Sequence, residues 1–392
     1  MKLKNCTAES FITSLNNKEV ICFGAGTTLI EADFEVLVIP ELEKHIAFFV
    51  DNDKKKYKIK YNYRGKLFDI LSPEIFGKID CRKYVLLITC ASYIEVYKQL
   101  SKIDEISDMD CYMYNCICSY PDLDIEAFFT TEIEKRQYAD YRGVLQRLNL
   151  KNKHYGERCF ILGNGPSLTV DDLELLKNEV TFASNRIFKV FPQTDWRPTY
   201  YLCTDYLMYG IDHEEINDID AQLRFVPIER ALAAGKVYDE ITYYNRLVNC
   251  TSIVDGNVSV SEEFQFSDNI IDCVYGGQTV LYDAFQLAVY MGFKSIYLIG
   301  VDNSYKKELK KDGTIIDTGI KANHFCDAYD EGLQDKIAVV ARLYLTEIIF
   351  RTVKEECEKR GVDVINATRG GNLNVFKRME LEEILFKNAI KK

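Results

Sequence analysis

Gly163, Asn164, Gly165, Pro166 and Ser167 follow one another directly at the end of the apolar run Cys159–Leu162. Four apolar residues bounded by turn formers read as a buried strand. Gly163 and Gly165 allow positive φ and leave backbone amides uncovered by side chains. Pro166 fixes φ near the helical value and suits a first helical turn. Ser167 leads into LTVDDLELLKNEV, where apolar residues recur at helical spacing. Strand, tight turn and helix in this order make an anion site, most often for phosphate, from the N–H groups of the turn. An ordinary strand-to-helix connection is the plain alternative.

Further polar groups fall at the ends of other predicted strands. Asn185 follows VTFAS, Asp205 follows TYYLCT, and Gly276–Thr279 opens a long helix. Asp302 follows KSIYLIGV, and Asn366–Thr368 follows GVDVI. Alternating strand and helix implies a parallel, doubly wound sheet, in which ligands sit at the carboxyl ends of the strands. The expected nucleotide site is therefore Gly163, Asn164, Gly165, Pro166, Ser167, Asn185, Asp205, Gly277, Thr279 and Asp302. Beyond Asp302 a long charged stretch runs to residue 330 and carries Tyr305, His324 and Tyr329. Loops of this length in compact domains are usually lids or disordered. Its Lys306, Lys307, Lys310 and Lys311 form either a solvated face or a cover for phosphate. His324 is the only histidine of this stretch, and imidazole is the side chain best suited to act as a general base near neutral pH. Tyr305 and Tyr329 offer hydroxyls to a leaving phosphate.

The elements that must position these residues form two α/β blocks. Residues 1–120 read as a small Rossmann-like domain, with strands KEVICFGAG, HIAFFVDND and KYVLLITC. Its Gly24-Ala25-Gly26 fingerprint has Leu29 at the third glycine position, and Asp51 lies far along for a ribose-binding acid. Residues 121–157 read as a helical linker. Residues 158–378 read as the nucleotide-binding domain, with a doubly wound, mostly parallel sheet and a lid at 303–330. Residues 379–392 read as a C-terminal helix that packs on the domain or touches a membrane surface or partner. Four D-x-D triplets, at 51–53, 108–110, 122–124 and 218–220, are weak evidence for a metal in a chain with 60 acidic residues. Thirteen scattered cysteines fit buried reduced thiols of a cytosolic protein, and Cys111, Cys116 and Cys118 lack paired zinc-ligand spacing. A net charge of −11 argues against a general nucleic-acid binder. No apolar run reaches the roughly 20 residues of a bilayer span, and no secretory signal is evident. The expected location is the cytoplasm, including the inner face of the membrane. A homo-oligomer is left open.

FILGNGPSL, FASNRIF and GGQTVLYDAFQLAVYMGFKSIYLIGVD together resemble the bacterial sialyltransferases that use CMP-activated nonulosonic acids. They also resemble the wider set of 6-hydroxymethylpterin diphosphokinase-like and motility-accessory flagellin glycosyltransferase proteins. The resemblance covers about 158–375 and implies a nucleotide-dependent transferase. It assigns nucleotide contacts to Asn164 and Asn185 and the helix-opening hydroxyl to Thr279. The phosphate-stabilising Tyr maps to Ser304 or Tyr305. The family's lid carries His-Tyr and a second His four residues on, which is the base. This chain has His324-Phe325 with Ala328 four residues later. The base is then His324, Asp327 or Asp330, or the reaction differs.

Three readings follow. The first is sugar transfer from a CMP-activated donor, such as a sialic-acid-like nonulosonate, to a cell-surface glycan or protein acceptor. It needs no cofactor beyond the donor substrate. The second is diphosphoryl transfer from ATP to a pterin, which needs Mg²⁺ held by carboxylates such as Asp205 and Asp302. The third is an inactive nucleotide-sugar-binding scaffold.

Overall fold

A computed structural model describes residues 1–26, 28–29, 38–90, 93–119, 124–125, 139, 141–234, 236–247, 251–254, 257–312, 314–331 and 340–386. Contacts divide the chain into two α/β units, Met1–Ile133 with Cys250–Glu262, and Glu134–Asn249 with Glu263–Lys392. Two Rossmann-like blocks are present, as expected.

In the first unit, Glu19–Phe23 lies between Ile46–Val50 and Tyr84–Ile88, parallel to both. The hairpins Lys60–Tyr63 with Lys66–Leu71 and Thr251–Val254 with Asn257–Val260, each antiparallel within itself, extend the sheet on one side through parallel pairings. Gly24 takes φ +113° at the end of its strand, and an added Cβ would lie 2.8 Å from that of Cys90. Asp51 is not open to a ribose. Its carboxylate accepts from Ala25 N at 2.8 Å and from Lys56 Nζ at 3.0 Å, both groups being buried.

The second unit holds an eight-stranded sheet. In chain order its strands are β1 (Arg158–Leu162), β2 (Thr181–Ser184), β3 (Tyr200–Leu202), β4 (Leu223–Pro227), β5 (Ile241–Tyr244), β6 (Ser295–Ile299), β7 (Asp363–Asn366) and β8 (Lys377–Arg378). Their spatial order is 5-4-3-2-1-6-7-8, parallel throughout. Alternate residues of each strand feed two cores. Phe160, Leu162, Ala183, Tyr201 and Val226 join one. Cys159, Ile161, Phe182, Tyr200 and Phe225 join the other. Both faces are therefore covered, which is why the strands read as continuous apolar runs. Helices α1 (Val170–Leu175) and α2 (Tyr206–Asn217) lie on the first face, and α3 (Val280–Tyr290) and α4 (Leu343–Lys359) on the second.

The second unit begins at Glu134, within the stretch expected to be a linker. The reason is electrostatic as well as apolar. Arg142 donates to the carbonyls of Tyr238 and Ile241, and the buried Arg147 donates to those of Ile270 and Tyr243. Residues 121–123, 126–138 and 140 lie outside the described residues. At the other end, Leu381 and Ile384 of the helix Leu381–Phe386 are buried in the first core. The rest of the expected C-terminal helix, 387–392, lies outside the described residues. Among the described residues no helix is long and apolar enough to cross a membrane.

Candidate functional site

The strand order reverses between β1 and β6, and ligands of open α/β sheets bind in the crevice at such a point. Gly163–Ser167 stands at the carboxyl end of β1, and Gly300–Asp302 at that of β6. The two turns are sewn together. Gly163 N donates to Ile299 O at 2.8 Å and Gly165 N to Gly300 O at 2.9 Å. Ser167 donates through N at 3.3 Å and through Oγ at 2.8 Å to Asp302 Oδ2.

This corrects two expectations. Neither Gly163 nor Gly165 has positive φ. They are glycines because of close approach: a Cβ at 163 would sit 2.3 Å from Gly300 O, and one at 165 would sit 2.0 Å from Asp302 Oδ2. The turn is also not an open cradle of amides. Pro166 has no N–H, and three of the other four amides already bond β6 or Asp302. An anion on this turn would meet the Asp302 carboxylate.

Side chains take over that role. Asn164 Nδ2 donates to Ser184 O at 3.1 Å and lies 3.4 Å from Tyr329 Oη. Its Oδ1 is buried without a partner, as are Ser184 Oγ and Asn185 Oδ1. Asn185 adopts φ +50°, a left-handed conformation that asparagine tolerates better than most residues. Its carbonyl accepts from Tyr201 Oη at 2.5 Å. Three unmatched oxygens at the ends of β1 and β2 are costly unless a ligand or water completes them.

The expected lid is ordered at both ends. Within it Lys307–Leu309 pairs antiparallel with Ile315–Asp317, and beyond it Val340–Ala341 adds a parallel strand. Phe325 N donates to Asn164 O at 3.1 Å and docks the following turn, Asp327–Asp330, against β1. His324 stacks on Tyr329 with ring centroids 3.8 Å apart, and its Nδ1 lies 2.9 Å from Asp330 Oδ1. Burial holds the His324 pKa below the ordinary imidazole value; Asp330 pulls the other way, and Lys306 adds to the lowering. The ring is thus neutral at pH 7, and its buried Nδ1 stands close to the Asp330 carboxylate without a well-aligned hydrogen bond. A neutral imidazole with Nδ1 beside a carboxylate leaves Nε2 as the nitrogen that could take a proton. His154 and His213 are spent elsewhere, each hydrogen-bonded to a tyrosine, Tyr200 and Tyr238.

Tyr329 is 2% exposed, and its hydroxyl faces Asn164, Asn185 and Met208. Burial raises its pKa, with Asp205 and Tyr305 adding to the effect, so it stays a neutral phenol. The phenol orients the two asparagines and supports the imidazole, and its hydroxyl does not face outward to a leaving group. Tyr329→Phe removes a partner from two amides at once and is expected to cost about 1–2 kcal/mol. The check is the urea midpoint followed by the fluorescence of Trp196, the only tryptophan and a buried residue of this unit. Tyr305 has a raised pKa from burial and from Asp302, so it too keeps its proton. Asp205 caps α2, accepting from Met208 N at 2.8 Å.

Gly277 and Thr279 belong to a different group. Thr279 caps α3 through Leu281 N, and a Cβ at Gly277 would meet Ile349 Cδ1 at 2.9 Å. Arg246 bridges the Gly277 carbonyl to the fully buried Asp283. The structure therefore gathers Asn164, Asn185, Asp205, Tyr305, His324 and Tyr329, and ties Gly277 and Thr279 to the α3–α4 side. Sequence reasoning missed Ser184, Arg186, Asp212 and Arg230. Arg230 Nε donates to Thr204 O at 2.7 Å, which puts a cation at the carboxyl end of β3. Its signal was available: it follows the FVP strand end by three residues. Among the described residues no cluster of His, Cys, Asp and Glu has metal-site geometry.

Residues 135–308 match the model of the family described as MptE-like, 6-hydroxymethylpterin diphosphokinase MptE-like. This falls within the superfamily that the motifs resemble. No curated protein matches. The chain is similar to the structure of the MAf glycosyltransferase from Magnetospirillum magneticum AMB-1, at 12% identity and TM-score 0.34, over 93% of this chain and 57% of that one. It is also similar to the sialyltransferase CstII from Campylobacter jejuni, solved in complex with a substrate analogue, cytidine-5'-monophosphate. That match has 13% identity and TM-score 0.33, over 57% of this chain and 85% of that one. The chain thus spans little more than half the length of the first of these structures.

Proposed function

We propose that the second unit is a glycosyltransferase that moves a nonulosonic acid from a CMP-activated donor to a glycan or protein hydroxyl. One observation carries this reading: a neutral His324, stacked on Tyr329 with Asp330 2.9 Å from its Nδ1, stands beside Asn164 and Asn185 at the switch point of a parallel sheet. The free oxygens of Asn164, Ser184 and Asn185 suit the hydrogen-bond donors of a nucleotide base and ribose. In the step proposed, His324 Nε2 takes the proton of the acceptor hydroxyl. The acceptor oxygen bonds to the anomeric carbon of the donor, and the bond from that carbon to the phosphate oxygen breaks. CMP leaves with the electron pair, and Tyr305, with the cations Arg230 and Lys306, stabilises the charge that develops.

The family match favours a second reading, diphosphoryl transfer from ATP to a pterin. Mg²⁺ would then fall to Asp205 and Asp302. Each already accepts a hydrogen bond, from Met208 N and from Ser167, that the metal would have to displace or share. Thermal shift separates the readings. CMP at 100 times its Kd should stabilise the protein by about 2.7 kcal/mol, and release of CMP from a CMP-sugar should follow on adding acceptor. Stabilisation only by ATP, Mg²⁺ and pterin together would establish the second reading. Binding of CMP without turnover of any donor would leave a nucleotide-sugar scaffold.

A further inference from the structure

Arg186 follows Asn185 directly at the end of β2 and is 2% exposed. Its Nε and one Nη meet the two oxygens of Asp212 at 2.5 and 2.9 Å. The other Nη donates to Tyr329 O at 3.0 Å and to Glu331 O at 2.6 Å. Asp212 is 3% exposed and sits where α2 departs from helical geometry, at φ −109° and ψ 16°.

A buried ion pair is weak evidence for stability, because apolar residues of similar volume often serve the fold as well. A guanidinium adds direction, since its planar fork fixes several acceptors at once. Here two of those acceptors are the carbonyls of Tyr329, in the short turn that bears Asp330, and of Glu331, the residue after it. That turn spans only Asp327–Asp330 and has no side-chain cap of its own. The two carbonyls held by Arg186 flank Asp330, whose Oδ1 lies 2.9 Å from His324 Nδ1. Resting on the reading of His324 as the base, we propose that Arg186 is a positioning residue: anchored on Asp212, it sets the backbone that presents Asp330 and Tyr329 to His324.

Arg186→Lys keeps a charge beside Asp212 but cannot reach the carboxylate and both carbonyls in one plane. The protein has four histidines, so each imidazole can be titrated by ¹H–¹³C NMR. In Arg186→Lys the His324 pKa should rise toward the ordinary value of about 6.5 as its burial loosens. With an active donor, kcat should fall roughly 10²-fold, the usual effect of a displaced catalytic group, with donor KM little changed. The paired variant Arg186→Met with Asp212→Leu removes both charges together and should reproduce both changes. A folded variant of either kind with wild-type His324 titration and wild-type kcat would overturn the proposal. So would failure of both to fold, which would make Arg186 a residue of the fold alone. If the unmodified protein transfers no sugar, the reading of the site falls, and the His324 titration still decides the role of Arg186.

Discussion

If His324 is the base proposed above, His324→Ala is expected to lower kcat by roughly 10²–10⁴-fold, the usual weight of a general base, and to leave donor affinity almost unchanged. The base has to be neutral to accept a proton, and the structure sets when that holds. Burial depresses the His324 pKa below 6.5, against the opposing pull of Asp330. The acidic limb of the wild-type kcat profile therefore lies below pH 6.5, and it disappears in His324→Ala. Asp330→Asn removes the group that raises the pKa, so the limb moves to still lower pH while kcat falls from loss of orientation. A limb that moved to higher pH would mean that Asp330 is not the partner of His324 in solution. A His324→Ala protein with wild-type kcat would pass the role to Asp327 or Asp330. The same shift has a stability consequence. A histidine whose folded pKa is below its unfolded value binds more protons when unfolded, so stability is full above pH 6.5 and declines as pH falls toward the folded pKa.

Gly163→Ala is expected to destabilise the second unit by on the order of 3 kcal/mol, near the upper range for overpacking. Its Cβ would meet the carbonyl oxygen of Gly300 at 2.3 Å and the carbonyl carbon at 2.8 Å. No rotamer relieves a backbone contact, and Gly300 is itself held at φ +68° against Gly163 O and Leu168. Relief requires β1 and β6 to part where the crevice forms, so nucleotide affinity should fall with stability. Trp196 fluorescence isolates this unit in a urea titration, since the chain has no other tryptophan. Gly77→Ala is the control: the nearest atom to its Cβ is a glutamate oxygen 3.8 Å away, in the first unit. An unchanged Trp196 midpoint in Gly163→Ala would show that the β1–β6 approach is looser than described. The same geometry changes what a Gly165→Val substitution means. Its side chain would strike Asp302 before any ligand, so loss of binding there would report the seam between the turns.

The second-unit sheet was legible in the sequence because a strand buried on both faces must be apolar along its length. The runs CFIL and SIYLI could serve little else, and the polar residue after each run marked the edge where the site lies. His324 stood out as the only histidine of the long charged stretch, and Asn164 and Asn185 for the same reason as the strands. The two asparagines are polar groups placed where periodicity ends. What the sequence could not determine is which of these groups bond each other. The turn amides looked free because the partner of Gly165, Gly300, lies 135 residues away, and only the pairing of β1 with β6 brings it within 2.9 Å. Gly277 and Thr279 looked like part of the edge, but Gly277 lies against Arg246 and against Ile349 of α4, and Thr279 caps α3. Arg186 looked like one more charge in SNRIF. Its role exists only because α2 brings Asp212, and the chain beyond His324 brings two carbonyls, to one buried guanidinium. Apolar periodicity is local and survives in the sequence. Hydrogen-bond partnership between residues a hundred positions apart is set by strand order and helix docking, and only the folded chain contains it.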